Sequence, residues 1–239
     1  MPILPIYPFE QEIQETVLYS PVTIITAETG AGKSTQVPQM LLRAGWRIVI
    51  TEPRRLAVRS VAARVAEEYG GVLGTTIGFR TGFERNDSPQ TRCLFCTDGL
   101  EVVREIHGSF KPDVLIVDEV HEWNLNIEVL LAWAKRRLAE DDSFRLVIMS
   151  ATMESDRLSA FFGTMPVIDV PGRLFSVEIR GIVHPTIEEE TERLVVEGRN
   201  TLVFLPGKSE ITTFINNLRE RQVNAEILPL HGELEPDEQ

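Results

Sequence analysis

Apolar residues along the chain gather in short runs that are hydrophobic almost throughout, with no alternation of apolar and polar positions. Val22-Thr-Ile-Ile-Thr26, Arg47-Ile-Val-Ile-Thr51, Cys93 to Thr97, Val114-Leu-Ile-Val117 and Leu146-Val-Ile-Met149 are such runs. Strands covered on both faces have this pattern, because neither side of the pleat meets water. Between them the period changes. Val58, Val61, Ala62 and Val65 fall on one helical face, with Arg55, Arg59, Glu67 and Glu68 at polar positions. Residues 125–138 form a thicker apolar helix and 153–162 a shorter one. Strands alternating with helices predict an α/β fold: a parallel sheet with right-handed crossovers and helices on both faces.

A boundary is expected between residues 171 and 186, where Pro171-Gly172-Arg173 and His184-Pro185 interrupt the pattern. This gives a first domain at 1–182 and a second unit at 183–239. The second unit is predicted to hold an acidic helix at 188–197, a strand at 201–205, a helix at 208–221 and a strand at 226–230.

The strongest chemical signal is Ala27-Glu-Thr-Gly-Ala-Gly-Lys-Ser-Thr35, set between the strand at 22–26 and a helical pattern. It fits G-x-x-x-x-G-K-[ST] except that Ala27 stands at the first glycine. Gly30, Ala31 and Gly32 would wrap backbone N–H groups around phosphate oxygens at the positive end of the next helix. Lys33 would meet the β- and γ-phosphates, and the hydroxyl of Ser34, followed by Thr35, would reach Mg²⁺. A strand ending in Asp118-Glu119 offers the second half of such a site. Asp118 would orient the metal, and Glu119 would stand at the metal and its water, placed to accept a proton from the attacking water. A nucleoside triphosphate and Mg²⁺ are therefore the expected substrate and cofactor.

With these residues in place, the chain resembles the DEAH-box (DEAH/RHA-type) RNA helicases. Asp118-Glu-Val-His121 is a D-E-x-H box. Thr51-Glu-Pro-Arg-Arg55 resembles that family's T-Q-P-R-R element, Ile77 to Glu84 its V-G-Y-x-I-R-F-E segment, and Thr97-Asp-Gly-Leu100 its T-D-G-M-L element. Ser150-Ala-Thr152 matches S-A-T, and Pro171-Gly-Arg-Leu-Phe175 resembles P-G-R-x-F. Leu202 to Gly207 and Leu228 to Gly232 resemble pieces of the second lobe, with wording that leans towards the bacterial branch.

The resemblance implies a P-loop, RecA-like first lobe and the start of a second. It implies that Thr51, Arg54, Arg55, Thr97, Asp98 and Gly207 lie along an RNA path, and that Arg64 stacks on adenine. His121, Ser150, Ala151 and Thr152 would couple the nucleotide state to the lobes. Two positions depart from the pattern: Ala27 for glycine, and Trp123 where the family has arginine. The family's later Q-x-x-G-R-x-G-R arginines would lie beyond Gln239. The expectation is therefore an N-terminal portion of an ATP-driven RNA helicase with an incomplete ATPase site. A non-catalytic nucleotide- or RNA-binding module, and a P-loop ATPase acting on DNA, are the alternatives.

Composition constrains these readings. The 239 residues carry 24 Lys+Arg against 36 Asp+Glu, a formal net charge of −12. A chain of this balance does not coat nucleic acid by bulk attraction, so contact needs a local basic strip. Arg43, Arg47, Arg54, Arg55, Arg59 and Arg64 make the densest one. The segment from His184 onward holds 12 acids and 5 bases, which makes it a candidate surface for a protein partner. Cys93 and Cys96 have a C-x-x-C spacing open to a metal or redox reading. No second pair completes a zinc set, and a buried strand, with the two residues on opposite faces, is preferred. No apolar run reaches the ~20 residues of a membrane span, and a reducing, cytoplasmic setting is expected.

Overall fold

The computed structural model describes residues 4–107, 112–152, 155–172, 178, 179, 181, 186–232 and 234. The chain divides into two compact units, 1–174 and 175–239. The expected boundary at 182/183, like Arg173 to Phe175 of the P-G-R-x-F element, lies outside the described residues.

The first unit is built on an eight-stranded sheet. Its strands are β1 (Val22–Ala27), β2 (Ile48–Glu52), β3 (Ile77–Arg80), β4 (Arg85–Asn86), β5 (Cys93–Thr97), β6 (Val114–Val117), β7 (Arg145–Ser150) and β8 (Val167–Val170). They lie in the order β4-β3-β5-β2-β6-β7-β1-β8. All pairings are parallel except β3 with β4. The five predicted strands are all present. Every residue of β1, β2 and β6 is buried, as expected of strands enclosed on both faces.

The helices are α1 (Glu10–Tyr19), α2 (Lys33–Arg43), α3 (Arg55–Glu68), α4 (Asp98–His107), α5 (Leu125–Glu140) and α6 (Ser155–Phe162). Two apolar layers flank the sheet. One joins Ile25, Ile50, Phe95 and Ile116 to α1, α2 and α3 through Ile13, Val37, Met40, Val58 and Val65. The other joins Ile24, Val49, Leu94 and Leu115 to α5 through Ile127, Leu131 and Ala134. Cys93 falls in the first layer and Cys96 in the second, both as free thiols. Strand parity accounts for the separation, and burial pushes both thiols up. Among the described residues no group of three or more His, Cys, Asp or Glu is placed to hold a metal.

The second unit contains α7 (Ile187–Val196) and α8 (Lys208–Glu220). They pack through Thr191, Phe214 and Leu218, with Asn217 donating to Glu188 at 2.8 Å and Arg221 facing Glu192 at 3.3 Å. The expected strands at 201–205 and 226–230 are absent. Neither run forms a ladder, and both line a cavity of about 710 Å³ with Leu202 and Phe204 exposed. Their sequence is strand-like, but a two-stranded parallel ribbon is marginal in water without further strands beside it. Much of the acidity here is answered internally. Arg193 pairs with Glu190 and Glu197, Arg199 with Glu197, and Arg221 with Glu192.

Candidate nucleotide and nucleic-acid site

The sheet order decides which chemistry meets which. Along its carboxyl edge β5, β2, β6, β7 and β1 follow one another. The phosphate-loop residues leave β1, Ser150 ends β7, and Asp118-Glu119 leave β6. Arg54-Arg55 follow β2, and Thr97-Asp98 end β5 and begin α4. Segments far apart in sequence thus lie side by side in the order nucleotide, coupling, carboxylates and basic strip.

The loop after β1 turns through Gly30 and Gly32, both left-handed with φ of 86° and 97°. Gly32 caps α2, and a Cβ there would meet Leu4 Cδ1 at 2.9 Å, so a side chain is excluded on two grounds. Ala27 sits within β1, opposite Val170 in register, away from any left-handed turn. Its departure from glycine therefore costs the loop nothing. Ala31 is buried, its N–H bonded to Glu28 O, and Thr35 Oγ1 donates to Gly32 O at 3.3 Å.

Lys33 is 5% exposed, and its Nζ lies 3.0 Å from Glu119 Oε1. Glu119 also meets His121, with Nε2 3.2 Å from Oε2. His121 Nδ1 accepts the backbone N–H of Ala151 at 3.2 Å. An accepting Nδ1 puts the imidazole proton on Nε2, where it is donated to Glu119. Lys33, Glu119, His121 and Ala151 thus form a continuous polar chain from β1 through β6 to β7. Ser150 is fully buried, and its Oγ accepts from Thr152 N at 3.2 Å.

Asp118 is 1% exposed, and its carboxyl is pushed up to about 6. Burial is the main cause and the charge of Glu119 adds to it. The Ser34 hydroxyl bonded to it and the charge of Lys33 work the other way. A buried carboxylate beside a hydroxyl, with too little positive charge around it, suits a hard divalent cation. Mg²⁺ takes few protein ligands and keeps its waters and phosphate oxygens. Ser34 and Asp118 therefore fit Mg²⁺.

The segment after Asp118 is strained. Glu119 and Trp123 have positive φ, 54° and 22°, on either side of a 3₁₀ turn at Val120–Glu122. Such residues cost on the order of 1–3 kcal/mol each and persist only where the surroundings hold them. The restraints here come from three directions. His121 is tied to Ala151, Glu122 to Arg54, and Trp123 lies under Arg157, with Cζ 3.7 Å from the ring centroid. Arg157 is itself held by Glu128 at 2.8 Å. At the position of the family arginine, Trp123 thus gains apolar packing and takes a guanidinium from α6.

The residues expected along the RNA path separate into exposed and buried ones. Arg54 is exposed, and Arg55 lies over the Phe83 ring at 4.7 Å. Thr51 is fully buried and Asp98 is 2% exposed, so neither side chain presents itself to a strand of nucleic acid. Asp98 accepts from Asn124 at 3.2 Å and its carboxyl is raised, mainly by burial. Thr97 is half-buried. Arg64 is exposed and anchored to Glu68 at 2.9 Å, which Gln36 and Gln39 also hold. Gly207 caps α8 in the second unit.

One residue that the sequence reading passed over is Glu52, at the end of β2. It is 8% exposed and its carboxyl is pushed up to about 8, first by burial and then by Asp118 and Glu119. The signal was its place in T-E-P-R-R, where the family pattern has glutamine.

A glycine-rich loop leaving β1, a carboxylate pair after β6 and the β7 end between them define an α/β unit of the RecA-like, P-loop type. No protein-family model matches the chain. Curated relatives do, and they are ATP-dependent RNA helicases. One is the HrpA homolog of Haemophilus influenzae, 35% identical over 99% of this chain and 20% of its own length. Another is HrpA of Escherichia coli, 34% identical over 99% of this chain and 20% of its own. The third is a putative pre-mRNA-splicing factor helicase of Schizosaccharomyces pombe, 34% identical over 99% and 40%. Over nearly its whole length the chain is similar to these helicases. It spans a fifth to two fifths of the length of these relatives. Among the described residues no helix is long and apolar enough to cross a membrane.

Proposed function

We propose that the chain binds Mg·ATP on its first unit and couples that nucleotide to a single strand of RNA lying along the carboxyl edge of the sheet, as part of an ATP-dependent RNA helicase. The observation that carries this reading is the meeting of Lys33, Glu119 and Ser34-bonded Asp118 at the ends of β1 and β6, on either side of β7. The loop 30–35 receives the triphosphate on its inward N–H groups, with Lys33 against the outer phosphates. An incoming γ-phosphate draws Lys33 away from Glu119 and leaves that carboxylate free to accept a proton from water. His121 holds Glu119 in place through its Nε2–H. When bound, Mg²⁺ neutralises phosphate charge beside Ser34 and Asp118. Because His121 is bonded to Ala151, movement of Glu119 is felt in Ser150-Ala-Thr152.

Arg54 and Arg55 supply charge for phosphates. The buried Thr51 and Asp98 serve by shaping the loops around them, and Arg64, held by Glu68, faces the base. The relatives are named as RNA helicases, which favours RNA, and the free thiols of Cys93 and Cys96 fit a cytoplasmic setting.

Titration with a fluorescent ATP analogue and Mg²⁺ tests the first half. Saturable binding that Lys33→Ala removes is the expected result, and binding indifferent to that change would refute the phosphate-loop assignment. Fluorescence anisotropy with oligouridylate, competed by the DNA of equal length, tests the second. Equal competition would favour the reading as an ATPase acting on DNA.

A further inference from the structure

The loop that carries Glu119 and the arginine nearest the proposed nucleic-acid path are joined directly: Arg54 donates to Glu122, the last residue of the turn that begins just after Glu119. The two side chains differ in exposure, 72% for Arg54 against 27% for Glu122. The guanidinium is therefore open to solvent on the side away from its partner, and a second anion can approach it while the first is bound. We infer that Glu122 is a positioning residue that stands in for an RNA phosphate: when a single strand docks, its phosphate takes Arg54 from Glu122 and releases the turn holding Glu119. This inference rests on the assignment of Arg54 to the RNA path and extends it to the catalytic loop.

The surroundings supply the direction of the exchange. Glu122 lies close enough to Asp98 for its charge to oppose ionisation of that buried carboxyl. Arg54 is the cation paired with Glu122. Once Arg54 turns to a phosphate, Glu122 faces Asp98 with its charge uncompensated and is driven outward. The turn is poised to follow, because it is closed by left-handed residues at both ends, Glu119 and Trp123. Among the described residues, the His121–Ala151 and Trp123–Arg157 contacts lead towards β7 and α6, and the Glu122–Arg54 pair leads towards the basic strip. Nucleotide and RNA thus act on opposite ends of one short segment, through Lys33 on Glu119 and through Arg54 on Glu122.

The test is a double-mutant cycle on the full chain, measuring the affinity for a 12-mer oligouridylate by anisotropy. Removing a competing surface carboxylate raises affinity by about two- to fivefold, the equivalent of an exposed ion pair, so Glu122→Gln is expected to bind more tightly. The gain is expected to vanish in Arg54→Ala. A gain that survives Arg54→Ala would be general relief of repulsion and would overturn the inference, as would no gain at all. If Arg54→Ala leaves affinity untouched, the RNA-path assignment itself fails and the inference with it.

A second readout separates positioning from electrostatics. With Trp46→Phe and Trp133→Phe, Trp123 is the sole tryptophan and reports the far end of the turn. Oligouridylate is expected to shift its emission when Glu122 is present and to leave it unchanged in Glu122→Gln, where the turn is already released. An equal shift in both would overturn the release of the turn.

Discussion

Replacing Glu52 by glutamine removes a buried carboxylate while keeping its shape, and the structure gives the sign and size of the result. The side chain is 8% exposed and its carboxyl is raised from 4.5 to about 8, first by burial and then by Asp118 and Glu119. The folded state therefore holds a proton on Glu52 over a window in which the unfolded state has lost it. Stability from this group is fully present below pH 4.5, falls as the pH rises, and is gone above about 8. Each pH unit within the window is worth at most ~1.4 kcal/mol. Between pH 5.5 and 7.5 the wild-type chain should thus lose up to ~3 kcal/mol through Glu52, a ceiling that screening reduces to about 1–2. Glu52→Gln should exceed wild type by about 0.5–1 kcal/mol at pH 5.5 and by about 1.5–3 kcal/mol at pH 7.5. Urea unfolding followed by tryptophan emission reads this out, because Trp46, Trp123 and Trp133 all lie in the first unit. A stability difference of equal size at both pH values would mean that Glu52 is already ionised at 5.5, and the burial argument would fail.

Asn124 caps α5 by accepting from Ile127 N at 3.0 Å and also donates to Asp98. Asn124→Ala should lower stability by ~1 kcal/mol, measurable as a shift in the urea midpoint, whereas Asn124→Asp should keep the cap and lose the bond to Asp98. Gly172 is closed to any side chain, since a Cβ would lie 2.6 Å from Glu28 Cβ and 2.0 Å from its Oε2. Gly172→Ala should displace Glu28 and, through the Ala31 N–H bond to Glu28 O, weaken binding of the ATP analogue severalfold. Unchanged affinity would show that the loop absorbs the shift. Cys93 and Cys96 are fully buried, so thiol reagents should label the native chain slowly and the urea-unfolded chain quickly, and rapid native labelling would contradict the sheet register.

What the sequence made legible follows from how local each signal is. The strands β1, β2, β5, β6 and β7 announce themselves by continuous apolar runs, and strand parity alone puts Cys93 and Cys96 on opposite layers. The P-loop and Asp118-Glu119 are readable because loop chemistry demands particular residues at fixed spacing. The short β3 and β4, with Arg80, Arg85 and Asn86 among few apolar residues, lack that periodicity. At 201–205 and 226–230 the residues favour a strand, yet a strand is a property of its neighbours, and the pattern could not say whether any were there. Glu52 and Glu122 were missed for a related reason. Their roles depend on Asp118 and Arg54, which lie 66 and 68 positions away and are brought close only by the pairing of β2 with β6.

The order of strand ends also works as a ruler. Neighbouring strands lie ~4.8 Å apart, so the four steps from β1 to β5 set the phosphate loop and Thr97-Asp98 on the order of 19 Å apart. That is about twice the distance over which exposed charges act on each other at physiological salt. On the proposed function, news of an arriving phosphate would cross the sheet as mechanical displacement, handed from one loop to the next, with the loop after β6 at the midpoint of that relay.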